Sequence, residues 1–167
     1  MIVAGLILVV ILCFGAVLLV GPPYLPTLTL QMNQALDMLD LKPGQTMIEL
    51  GCGDGKVLIA AAQRGWKVVG IELNPLLVVV CKARTWRYRK LVTVYWGNYW
   101  NLDLWPRAEG IFGFVLPRYM RKLDETILAW QKGSRKNNKV KLASFAFAIP
   151  GKRVIKEEKG VFLYSYE

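Results

Sequence analysis

A short apolar stretch, Thr46–Leu50, runs directly into Gly51-Cys52-Gly53-Asp54-Gly55, and a helical pattern opens at Lys56. The stretch reads as a buried strand. Glycines at alternate positions let the chain turn tightly and let a ligand lie against the backbone. A strand that ends in such a loop and feeds a helix belongs to a parallel α/β layer. The spacing is GxGxG; the dinucleotide pattern GxGxxG would need a glycine where this chain has Lys56. Glu72 closes the next strand, 23 residues after Glu49, where a carboxylate is placed to accept hydrogen bonds from two ribose hydroxyls.

The rest of the body keeps the alternation. Helical spacing is expected over 28–39 and 56–64, over 75–87 behind Pro75, and over 118–130. Strands are expected at 66–71, 91–95, 110–116, 140–148 and 161–166. Strands alternating with helices predict a mostly parallel sheet covered on both faces. The last two strands have only a loop between them, which predicts an antiparallel edge. Residues 132–139 form a polar loop, and no internal repeat appears.

The front of the chain differs. Ile2–Val20 carries no charged side chain, and the first one anywhere is Asp37. As a helix this run would span ~28 Å, close to the ~30 Å hydrocarbon core of a bilayer. Gly21, Pro22 and Pro23 would end it. It lacks the basic start and cleavage site of a secretory signal peptide and is long for a core helix. The expectation is one N-terminal transmembrane helix in a single-pass membrane protein. Its basic body is then expected on the cytoplasmic side, or the matrix side in an organelle. The domain boundaries that follow are 1–21 for the anchor, 22–45 for a linking segment and helix, and 46–167 for the α/β domain.

Composition narrows the chemistry. The 167 residues include no histidine, which removes the commonest general base and most catalytic zinc sites. Cys13, Cys52 and Cys81 show no metal spacing, so neither a metal nor a disulfide framework is expected.

The segments ELGCGDGK, GIELNP and GNYW resemble the ligand site of the class I, seven-β-strand S-adenosylmethionine-dependent methyltransferases. The resemblance implies a Rossmann-like, mostly parallel seven-stranded sheet with an antiparallel last strand. It implies S-adenosylmethionine as cofactor, with Glu49 at the methionine end and Gly51, Cys52, Gly53 and Gly55 along it. Glu72 would bind the ribose, Leu73 and Asn74 would flank the adenine, and Asn98 and Tyr99 would follow the third strand beside it. Pro23-Tyr24-Leu25-Pro26-Thr27, Phe114-Val115-Leu116, Ser144–Gly151 and Tyr164-Ser165-Tyr166 narrow the resemblance. They are similar to segments of the protein-lysine branch and its archaeal broad-specificity relatives. Tyr24 would then touch both cofactor and substrate. Relatives commonly carry acidic or polar residues where this chain has Ala146 and Ala148.

Methyl transfer to lysine needs a neutral amine, and neutralising one at pH 7 costs about 4–5 kcal/mol. A partly dry aromatic channel lowers that pKa and holds an alkylammonium, so no histidine is required. Tyr24, Trp100, Phe145 and Phe147 are the expected walls. The expected acceptor is a lysine of a protein, in or near a membrane. The alternatives are a small-molecule or lipid amine, or a catalytically silent, tethered cofactor-binding protein. The net charge of +10 concentrates partly in 82–90 and 132–141, each with five basic residues and no acid. Anionic lipid headgroups suit these stretches better than nucleic acid, whose amino-methylating enzymes carry a motif that Leu116-Pro117-Arg118-Tyr119 lacks.

Overall fold

The computed structural model describes residues 27–133 and 139–167. Helix α1 (Thr29–Leu39) precedes β1 (Thr46–Leu50), α2 (Lys56–Gln63), β2 (Lys67–Glu72), α3 (Pro75–Thr85) and β3 (Val92–Trp96). Then come β4 (Gly110–Gly113), α4 (Met120–Gly133), β5 (Val140–Phe145), β6 (Lys156–Glu158) and β7 (Val161–Tyr166). The strands form one seven-stranded sheet in the order β3-β2-β1-β4-β5-β7-β6. The first five run parallel, β7 pairs antiparallel with β5, and β6 pairs antiparallel with β7. The expected α/β class and antiparallel end strand are both present. Order reverses between β2-β1 and β1-β4, so the crevice beyond the carboxyl end of β1 is the switch point where ligands bind in such sheets.

Each sheet face carries its own core. Met32, Ala35, Leu36 and Leu39 of α1 pack with Val57, Leu58 and Ala61 of α2 and with Val78 and Cys81 of α3 on one face. Met120, Leu123 and Ile127 of α4 pack over Ile48, Ile71, Ile111 and Leu142 on the other. Alternating side chains of β1 divide between these layers: Met47 joins the first, while Ile48 and Leu50 join the second.

Several strand ends differ from the sequence pattern. β4 stops at Gly113 and a 3-10 turn at Pro117–Tyr119 leads into α4. β5 stops at Phe145 because Ala146 takes φ 69°, outside any strand conformation. Its N–H turns to the Gly160 carbonyl at 2.8 Å, and the Ser144 hydroxyl donates to the Phe147 carbonyl at 2.8 Å. Lys156–Glu158 is a strand that the sequence pattern does not mark; among the described residues it is a charged edge paired with β7.

The single-pass membrane assignment is corrected. Among the described residues no helix is long and apolar enough to cross a membrane. Ile2–Val20, on which the assignment rested, lies outside the described residues, as do Tyr24 and residues 134–138 of the polar loop.

Candidate active site at the end of the first strand

The loop after β1 folds through three left-handed glycines, Gly51 at φ 79°, Gly53 at 52° and Gly55 at 80°. Two of them serve different ends. A Cβ on Gly51 would meet nothing within 4 Å, so this side of the loop opens onto free space. A Cβ on Gly55 would lie 2.7 Å from Cys81 Sγ, so its absence lets the loop close on α3. The Gly51 and Cys52 N–H groups both donate to the Ile71 carbonyl, at 2.9 and 3.2 Å, which ties the loop to the end of β2.

Glu72 sits where expected, as the last residue of β2, and is buried. Its Oε2 accepts the Gly53 N–H at 2.9 Å and its Oε1 accepts the Asn74 N–H at 2.8 Å. The carboxylate therefore organises the glycine loop as well as facing the site. Each oxygen retains a lone pair for a further donor. Asn74, also buried, uses its side chain as the N-cap of α3, accepting the Leu76 N–H at 2.9 Å. Leu73 offers its carbonyl to the Trp96 indole N–H at 3.0 Å. No motif in the sequence singles out Trp96, although it closes β3 beside this segment.

Glu49 is buried, and its Oε2 has no hydrogen-bond partner. Burial, the neighbouring Cys81 thiol and Glu72 hold its carboxyl well above the usual carboxylate range. A buried unpartnered carboxyl oxygen is costly unless a ligand completes it. An incoming ammonium group would supply the missing donors and reverse the pKa shift. Cys52, within the loop, places its Sγ 3.8 Å from Cys81 Sγ, both thiols free and buried. The hydrogen bond to Cys81, burial and nearby Glu49 push the Cys52 thiol up, so it packs as a neutral group. The Sγ of Cys52 occupies the room left by Gly70, where a Cβ would come within 2.7 Å.

The aromatic residues fall into two sets. Tyr99, Trp100 and Tyr119 form one, with centroid separations of 4.8 and 5.9 Å, and the Lys122 ammonium lies 4.4 Å over Trp100. Asn98, exposed, turns its Oδ1 to the Trp100 N–H at 3.0 Å and so positions this set. Burial, Tyr119 and Glu72 push the Tyr99 phenol up to about 12. Phe145 and Phe147 form the second set around Phe114, at 4.8 and 6.3 Å. In the sequence Phe114 reads only as part of a strand-end motif. Its position after β4, with its ring against both expected rings, adds it to the candidate wall. No group of three or more potential metal ligands gathers among the described residues.

A cofactor with an ammonium end and a ribose fits this donor and acceptor set: Glu49 is orphaned, Glu72 retains acceptor capacity, and Gly51 leaves open space. Known proteins with related sequences are methyltransferases. The model of the ANTKMT methyltransferase domain matches residues 49–156. An ATP synthase C-subunit lysine N-methyltransferase of Xenopus laevis is 34% identical over 107 residues, 63% of this chain and 46% of the relative. Adenine nucleotide translocase lysine N-methyltransferase of Mus musculus is 31% identical over 112 residues, 64% of this chain and 47% of the relative. The chain thus spans about half the length of these two curated relatives. An RNA methyltransferase from Salinibacter ruber, solved with S-adenosyl-L-homocysteine, shares the fold. Its TM-score is 0.73 at 22% identity, covering 85% of this chain and 92% of that one.

Proposed function

The chain belongs to the ANTKMT methyltransferase domain family of S-adenosylmethionine-dependent enzymes, and from that premise we propose that it methylates the side-chain amine of lysine in a protein substrate. The observation that carries the reading is the unpartnered Oε2 of buried Glu49 near the end of β1, with open space at Gly51 in the loop that follows. The named activities of the two relatives, both lysine N-methyltransferases, support a lysine acceptor over a free amine or a lipid.

S-adenosylmethionine, when bound, supplies a methyl group on a sulfonium that is already a leaving group. The chain's residues need only bind, orient and desolvate. Glu49 would receive the ammonium end and Glu72 the ribose, with Leu73, Asn74, Asn98 and Tyr99 bordering the base. Trp100, Phe114, Phe145 and Phe147 supply the low-polarity surroundings that favour a neutral lysine and accept its alkylammonium product. Tyr24, outside the described residues, remains a candidate for the same wall. Ala146 and Ala148 offer no carboxylate to the target lysine, so the aromatic groups carry its recognition.

The test is incubation with methyl-labelled S-adenosylmethionine and a cell extract, separation of protein, lipid and nucleic acid, and amino-acid analysis of the protein. Label recovered as methyl-lysine is expected. Label confined to lipid or nucleic acid would exclude the reading. Intact cofactor binding with no transfer would favour a silent binding protein.

A further inference from the structure

We propose that the outward face of α3 is a peripheral docking surface for an anionic lipid membrane. The helix buries Val78, Cys81 and Thr85 against the sheet. A surface helix ordinarily turns polar residues to solvent on its other side. This one does not: Leu76, Val79, Val80 and Ala83 follow one another at helical spacing on the side away from the core. Val79 is 66% exposed and Val80 44%. Trp86, in the 3-10 turn that continues the helix, is 65% exposed, and Trp96, at the end of edge strand β3, is 67% exposed. The Trp96 indole N–H is already bonded to the Leu73 carbonyl, so the ring is held beside the start of α3.

Cations flank this apolar stripe. Lys82, Arg84, Arg87, Arg89 and Lys90 are all exposed, and no acid lies between 82 and 90. Arg84 is paired with Asp54, and the Arg89 guanidinium lies 4.7 Å over the Trp86 ring. Three occupants meet these facts differently. A second copy of the chain in a two-fold contact would set these cations against their own equivalents. Nucleic acid would satisfy the cations and stack on Trp86 but would leave Val79 and Val80 against phosphates. An anionic lipid surface satisfies both halves: the aliphatic stripe enters the headgroup boundary, the tryptophans sit at the interface, and the cations meet lipid phosphates. This contact needs no membrane-crossing helix and does not depend on which acceptor is methylated.

The test is co-sedimentation of the full chain with phosphatidylcholine vesicles, with and without phosphatidylglycerol, at low salt. Ile2–Val20 carries no charged side chain, so it does not discriminate between the two vesicles. Binding roughly tenfold or more tighter to the anionic vesicles is expected, weakening as salt rises. Val79→Glu and Trp86→Ala should each remove most of that difference while leaving S-adenosylhomocysteine affinity unchanged, which also shows that the variants fold. Equal binding to both vesicles, or variants that bind as the parent does, would overturn the proposal. So would tighter binding to an RNA oligonucleotide than to anionic vesicles, or a solution dimer dissolved by Val79→Glu.

Discussion

Glu72 and Gly53 are joined by a 2.9 Å hydrogen bond from the glycine N–H to the buried carboxylate, which makes the acid that closes β2 also the support of the loop. Glu72→Ala should therefore do two things. It leaves the N–H groups of Gly53 and Asn74 buried without partners, at about 1–3 kcal/mol each. It also abolishes S-adenosylhomocysteine binding. Urea unfolding and calorimetric titration read the two effects separately; retained binding would move the site elsewhere. Glu72→Gln should also fail, because its amide nitrogen must face one of two N–H donors.

Gly55 and Gly51 share a left-handed backbone but not a neighbourhood. Gly55→Ala incurs backbone strain of about 1–2 kcal/mol and also drives a Cβ into Cys81, for a total of about 2–4 kcal/mol. Gly51→Ala should cost only the strain, yet lose cofactor affinity more severely relative to its stability loss. Thermal unfolding with and without S-adenosylhomocysteine separates the pair. Equal stability losses would contradict the assignment of open space to Gly51.

Ala146 occupies the left-handed region at φ 69° without the side chain that tolerates it. Ala146→Gly should raise stability by about 1 kcal/mol, measured by urea unfolding. A loss of stability would mean that the Ala146 methyl packs against something that offsets the strain.

Trp100→Leu and Phe145→Leu should lower methyl transfer, about tenfold or more, while leaving S-adenosylhomocysteine affinity within about threefold. Both rings are partly buried, so conservative apolar replacements keep the fold. A variant that loses cofactor affinity in step with turnover would place its ring on the cofactor rather than on the acceptor.

The parts of this fold legible in the sequence are those fixed by local chemistry. The β1 strand, its glycines and Glu72 lie within a single β-α-β unit, so spacing alone brings them together. The Lys156–Glu158 strand is invisible in the sequence because its three charged residues carry no alternation; it exists only through pairing with β7. Alternation in SFAFA continues past Phe145 and so overruns the end of β5. The Ser144–Phe147 and Ala146–Gly160 bonds that bend the chain there are set by tertiary context. Phe114 looks like one more apolar strand residue until the fold brings its ring against both Phe145 and Phe147. The aromatic residues expected as one wall form two sets, a division fixed by which strand end each follows. The N-terminal apolar run suggests a membrane crossing from composition alone, and no described helix repeats that pattern.

Glu49 is the residue on which the proposed chemistry turns. Its carboxyl is held well above the ordinary 4.5 by burial, Cys81 and Glu72, so the folded chain retains a proton that the unfolded chain releases. The stability this group contributes is complete below the unfolded pKa and is lost as pH rises through the folded one. Glu49→Gln should flatten that fall and stabilise the ligand-free protein at neutral pH. A ligand ammonium favours the ionised form, so binding should expel the proton. The direct measurement is calorimetric titration of S-adenosylmethionine near neutral pH in two buffers of different ionisation enthalpy. The expected result is proton release, up to about one per ligand, with affinity rising with pH and both effects absent in Glu49→Gln. Equally tight binding by Glu49→Gln, with no proton released by either protein, would contradict the account.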